Sequence, residues 1–253
     1  MLNLIKADLY RITKTKGFYL YWAIVLVTYI LNIAYKSYGG ISLGAPLEYD
    51  ESLQIDIGAV AMNFTFYFLN IFPVFSIICG EYSEHTIKNS ISSTISKKNF
   101  FISKYIFTMG YTLFSYVFAN YAYYFANRLI NGEDYSSTFG EFSGAFFRQF
   151  PLMAAIVSLF IGLAFLLRKG AAFNSVTIIT PIVYTSAALA LYGISSTKKI
   201  AEKLLTYETS TMLSRLALDY SSNYTVKCFI ISALIIILSL FIGYFSFTKR
   251  ELE

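Results

Sequence analysis

Charge is scarce in this 253-residue chain: Asp, Glu, Lys and Arg make up 14% of it, against about 25% in an ordinary soluble domain. Hydrophobic residues make up 56% and aromatics 19%, and the mean hydropathy is +0.56. Water is therefore not its main solvent, and the composition is far too apolar for disorder. Two cysteines exclude a disulfide scaffold. Four prolines and fourteen glycines leave no collagen-like repeat. A single histidine, His85, is too little for an H-E-x-x-H metal site and reads as an ordinary exposed loop residue. No G-x-x-x-x-G-K-[ST] phosphate loop occurs, so energy for any transport must come from another chain.

Long apolar runs are abundant. A hydrocarbon core about 30 Å thick needs roughly 20 apolar residues in a helix. Six stretches qualify: 18–35, 57–79, 105–127, 150–167, 171–193 and 228–247. They are too long and too evenly apolar for barrel strands. The expected fold is an all-α integral membrane protein with six transmembrane helices.

Basic residues near span ends decide orientation. The segments before span 1, between spans 2 and 3, between 4 and 5, and after 6 hold twelve bases and five acids; the alternate segments hold eight and ten. Among the latter acids are Glu48, Asp50, Glu51 and Asp56, then Glu133, Asp134 and Glu141. Both termini are expected in the cytoplasm, with the chain in the cell membrane. No small-x-small site follows Tyr35, so the first span is expected to be retained rather than cleaved as a signal peptide. Cys79 and Cys228 fall at opposite membrane faces, too far apart for a disulfide.

Between the spans, Leu2, Ile5, Leu9 and Ile12 share a helical face, with Lys6, Arg11 and Lys14 turned elsewhere. This suggests an amphipathic helix along the inner membrane surface; a solvated basic leader is the alternative. In the outer segment 194–224, Ile200, Leu204, Tyr207 and Thr211, then Leu213, Leu216 and Leu218, suggest a short helix capping the bundle before span 6, against a plain loop. The link 168–170 is so short that spans 4 and 5 must form an antiparallel hairpin. The inner loop 80–104 alone is large enough to receive a partner. There Ser83 is a candidate N-cap, and Glu84 in the first turn suits the helix dipole. Ile87, Ile91 and Ile95 then form a ridge on one face. The ridge suits either a groove on a partner protein or the lipid interface.

No ionisable side chain lies inside a span; Asp56, Arg128, Arg148 and Lys227 sit at the ends. That argues against a proton relay and against an intramembrane aspartyl protease, and disfavours a sodium-coupled carrier. Neutral polar residues do form stripes: Thr112, Tyr116, Asn120, Tyr124 (or Tyr123) and Asn127 in span 3, Asn63 and Asn70 in span 2, and Asn174, Thr177 and Tyr184 in span 5. Pro73 should kink or loosen span 2 near Leu69. The stripes suit interhelical hydrogen bonding or the wall of a translocation path for amphipathic cargo.

Glu81-Tyr82, Thr86, Lys88-Asn89, Ser96-Lys97 and Lys104 together resemble the inner-loop signature of type-2 ABC exporter permeases. The ending Phe247-Thr248-Lys249-Arg250-Glu251-Leu252 is similar to that family's tail. His85 stands where the signature has glycine, and Lys97 where arginine is common. A chain of this length with a basic leader resembles the membrane subunits of lantibiotic-immunity and peptide-toxin exporters. The resemblance implies one ABC-type transmembrane domain over 1–253 and a cytoplasmic coupling helix between spans 2 and 3. Glu81, Thr86, Lys88, Asn89, Ser96 and Lys97 become ATPase-coupling candidates beside Ser83 and Glu84, with Ile87, Ile91 and Ile95 as anchor. The implied partners are two copies of a P-loop ATPase subunit, which bind ATP and Mg, a second permease copy in a homo- or heterodimer, membrane lipid, and a peptide or lipophilic cargo. No catalytic residue, metal, cofactor or nucleic acid is expected on this chain. A non-transporting anchor or sensor and the export of other lipophilic drugs or lipids are the competing readings.

Overall fold

Where water is absent a chain must satisfy its own backbone hydrogen bonds, which favours helix over open strand. The computed structural model describes residues 2–43, 53–83, 87, 91, 95–218 and 221–249; these are all-helical, with no strand among them. The coupling candidates Glu84, Thr86, Lys88 and Asn89, and His85, lie outside the described residues.

Five helices are long and apolar enough to cross a membrane: Lys16–Ala34, Phe64–Ser83, Glu133–Leu167, Gly170–Tyr192 and Ser222–Lys249. The expected third span falls in a 35-residue helix, Lys97–Asn131, which lacks that apolar density because its buried face carries Asn, Thr and Tyr.

In chain order, α1 (Leu2–Lys14) meets α2 (Lys16–Ala34) at an extended Thr15. The second span is a chain of short pieces: α3 (Ile55–Ala61), α4 (Phe64–Leu69), α5 (Ile71–Val74), a π turn (Phe75–Cys79) and α6 (Gly80–Ser83). The break at Asn70 follows from Pro73, which lacks an N–H and whose ring crowds the carbonyl four residues back, that of Leu69. Then come α7 (Lys97–Asn131), α8 (Phe139–Leu167), α9 (Gly170–Tyr192), α10 (Lys198–Thr206), α11 (Thr209–Leu218) and α12 (Ser222–Lys249). Ser96 caps α7, its Oγ accepting from the Asn99 N–H at 3.2 Å. Thr138 and Glu141 form a capping box that starts α8.

α8 is the axis of the molecule, and its most extensive packing is with α12. The two backbones touch through small residues: a Cβ on Gly162 would lie 2.7 Å from the Ser239 carbonyl oxygen, and one on Gly243 would lie 3.0 Å from the Gly162 Cα. Ser239 and Gly243 are four apart, the small-xxx-small spacing by which helices approach closely in lipid. The link through Arg168, held at φ 58°, does bring α9 against α8, with Phe160 edge-on to Phe173 at 6.2 Å. Yet α9 packs less extensively there than α12 does, and the close glycine contacts of α8 are with α12.

Two expectations are corrected. The outer segment forms two helices, not one, broken at Tyr207–Glu208; α10 buries Ala201 and Leu205, while Ile200 is 60% exposed. α11 is nearly all interior, wedged against α3 and α8. In α1 the inward face carries Ile5, Asp8 and Ile12, while Leu9 is turned out at 49% exposed. The helix therefore presses a carboxylate, not only aliphatics, into the protein.

Candidate functional site

At one end of the bundle four charged side chains from three elements meet. Lys104 near the start of α7 is fully buried; its Nζ donates to Asp8 Oδ1 of α1 at 2.5 Å and to Glu81 Oε1 of α6 at 2.6 Å. Arg11 Nη2 lies 2.8 Å from the same Glu81 oxygen. Lys104 also stands 5.4 Å from the centre of the Phe100 ring. Burial pushes the Asp8 carboxyl above its usual range, and the Lys104 ammonium opposes that rise. Asp8, Glu81 and Lys104 are enclosed, so removing any of the three leaves an uncompensated buried charge, while Arg11 closes this joint from its partly exposed rim.

Other parts of the inner-loop signature gather around this joint. Tyr82 packs edge-on against Phe165 and lies under the Arg168 guanidinium at 5.9 Å. Lys97 Nζ donates to the Thr248 carbonyl oxygen, at the C-terminal end of α12, at 3.3 Å. Phe247 stacks on Phe100 and meets Phe165 edge-on. Glu81, Tyr82, Lys97, Lys104, Phe247 and Thr248 are thus neighbours in space.

Glu81 is 2% exposed and turned inward, so its side chain offers no contact surface. Ile87 is buried, and Ile91 and Ile95 pack against the central core: the ridge faces the protein's own interior. Ser83 Oγ donates to the Cys79 carbonyl oxygen at 3.1 Å, and the turn it was expected to cap lies outside the described residues. Ser83, Ser96 and Lys98 are exposed.

The stripe residues divide. On α7, Thr112, Tyr116, Asn120, Tyr124 and Asn127 are all buried, with bonds close at hand. Thr112 donates to the Thr108 carbonyl, Asn120 to that of Tyr116, Tyr124 to that of Ser137, and Asn127 to Ser136 Oγ. Asn63 joins Tyr116 and Gln149: its Nδ2 donates to Tyr116 Oη and to Gln149 Oε1, both at 2.8 Å. Gln149 Nε2 in turn donates to the carbonyls of Val60 and Leu213, which ties α3, α7, α8 and α11 together. Asn70 is buried 3.5 Å from the Met153 sulfur. Thr177 bonds back to Phe173 of its own helix, and Asn174 is half-buried.

Tyr184 alone among these stripe residues lines a cleft of about 230 Å³ formed by α4, α8, α9, α12 and the α10–α11 turn. Its walls are Leu152, Ile156, Leu159, Pro181 and Ile235 with the rings of Tyr67, Tyr184 and Tyr207; Thr180 and Thr209 also line it, and so does one acid, Glu208. Asn63 lines a second pocket with room for about one water, between α2 and α4.

Asp8, Gln149 and Glu208 carry these arrangements without standing out in the sequence. Asp8 had a readable signal, since it shares a helical face with Ile5 and Ile12. Gln149 and Glu208 had none, for each is a polar residue at the edge of an apolar run. Among the described residues no group of three His, Cys, Asp or Glu is placed to hold a metal ion. The chain matches no known protein family and no curated protein.

Proposed function

We propose that this chain is the membrane-spanning permease subunit of an ATP-binding-cassette exporter, working with a separate P-loop ATPase and a second permease copy to extrude a hydrophobic or antimicrobial peptide. In this reading α7 is the sixth transmembrane helix: at 1.5 Å per residue its 35 residues exceed the hydrocarbon thickness, and its polar face is covered by the bundle. Both termini and the loop 80–104 lie in the cytoplasm, where the excess of bases falls. Nucleotide chemistry belongs to the partner subunit.

The observation that carries the reading is the joint of Asp8, Arg11, Glu81 and Lys104. A permease without its own energy source needs a stiff lever between the docked ATPase and its helices, because coupling travels through elements that move as units. The joint binds α1, α6 and α7 together where the inner loop leaves and re-enters the bundle. Since Ile87, Ile91 and Ile95 are committed to the core, the ATPase docks on the exposed polar side of the loop, to which Ser83, Ser96 and Lys98 belong.

Co-purification of an affinity-tagged chain with its ATPase tests this directly. Lys98→Glu is expected to abolish ATPase pull-down while leaving the thermal midpoint of the purified chain unchanged. Ile91→Asp is expected to lower that midpoint as well. A chain that transports cargo in liposomes without any ATPase, insensitive to vanadate, would overturn the proposal.

A further inference from the structure

The cleft near the α10–α11 turn combines two properties rarely found together in an apolar helix bundle. It is open, with Leu159, Tyr184 and Tyr207 on its wall between 38 and 42% exposed, and it contains a carboxylate that is itself 3% exposed. Glu208 Oε2 accepts from the Thr211 N–H at 2.9 Å and from Thr211 Oγ1 at 3.3 Å, which holds the side chain in place. Among the described residues no Lys, Arg or His forms an ion pair with it. The phenols beside it carry no positive charge, and two of them donate elsewhere: Tyr67 Oη to the Thr177 carbonyl and Tyr184 Oη to that of Leu204. A fixed carboxylate facing an apolar, aromatic cleft is matched by a cation on an apolar body, whose charge meets the acid while its ring or chain lies on Tyr and Ile.

We propose that this cleft is a binding subsite for the ammonium group of a lipophilic amine, with Glu208 as counter-ion and Tyr67, Ile156, Pro181 and Ile235 as the apolar wall. A volume of about 230 Å³ is below that of a drug-sized pocket, about 300–1,000 Å³, so it takes one anchoring group rather than a whole peptide. The same chemistry is offered by a lysine of a hydrophobic peptide and by an aminolipid headgroup. The inference rests on the proposed function only in treating the amine as part of the cargo; the binding itself needs no ATPase.

The test uses the full chain in phosphatidylcholine nanodiscs at pH 7, with dodecylamine as probe, dodecanol as its uncharged match and thermal-shift titration as readout. Dodecylamine should stabilise the protein saturably, and dodecanol should not. Glu208→Gln keeps an acceptor for the Thr211 N–H, so it should fold, and should weaken dodecylamine binding about tenfold or more. Ile235→Trp, which fills the cleft and leaves the acid in place, should weaken it too. Equal shifts from dodecylamine and dodecanol, or unchanged dodecylamine affinity in both variants, would overturn the subsite. Repeating the titration with a leucine-rich peptide bearing one lysine, and in discs containing phosphatidylethanolamine, tells the two sources apart: competition by either supports the site and names its ligand. Loss of ATPase pull-down with binding intact would remove the exporter reading and leave the subsite standing.

Discussion

Lys104 is the residue on which its end of the bundle depends. Its ammonium bonds to both buried carboxylates, Asp8 and Glu81, so Lys104→Met leaves two acids facing each other without their shared partner. Breaking a buried pair from one side costs about 3–5 kcal/mol. We expect Lys104→Met to lower stability by about that much in chemical unfolding, and Lys104→Arg to recover part of it. Asp56 at the opposite end gives a pH-dependent counterpart. Burial raises its carboxyl above 3.8, against bonds from the Ser137 hydroxyl and N–H and the Ile57 N–H. The folded chain thus holds that proton more tightly than the unfolded chain does. Its contribution is complete below the unfolded value and is lost as pH rises through the raised folded one. Thermal midpoints measured upward from pH 4 should fall less steeply in Asp56→Asn than in the parent. Glu81 and Lys104 were legible through the motif, but their pairing was not: they stand 23 positions apart, and spacing says nothing about how the chain between them closes.

Helices meet here in two ways, through small residues and through polar networks, and the difference is measurable. The α8–α12 crossing is held by Gly162, Ser239 and Gly243 at backbone contact. Gly162→Ala places a methyl 2.7 Å from a carbonyl oxygen that belongs to backbone and cannot swing aside. The helices must separate, at a cost of about 1–3 kcal/mol, and a drop of that size in unfolding free energy is the expected result. Gly140, whose Cβ would meet nothing within 4 Å, is the control that should tolerate alanine. The interruption of the second span was readable, because a proline states its effect locally. The division between α10 and α11 was not: Tyr207 and Glu208 carry no breaker signal, and the turn exists because Glu208 caps the next helix once packing has buried it.

Orientation in the bilayer is the property of the entire chain on which the functional reading turns. Both cysteines are buried, so a single engineered thiol can be labelled against a quiet background. Ser195→Cys should react with a membrane-impermeant maleimide in intact cells, and Ser96→Cys only after permeabilisation; both native serines are exposed. The reverse pattern would place the inner loop outside the cell and remove any ATPase from its reach. Five helices are apolar enough to span by composition, and the same labelling pair decides α7, since the two sites fall on opposite faces only if the helices between them cross an odd number of times, α7 included.

Composition and run length sufficed for the solvent, the helical class and most span positions, because burial in hydrocarbon demands apolar length and internal hydrogen bonding at every point along a segment. Charge counting predicts which side each segment faces, and the thiol labels test it. Tertiary packing decided where the polar residues lie and what they bond to. Asp8, Glu81 and Lys104 come from three separate elements and meet only after folding, the stripe on α7 spends its polarity inside the bundle, and the isoleucine ridge turns to the core. A side chain's partner in such a fold lies across space rather than along the chain, and no periodicity encodes that distance.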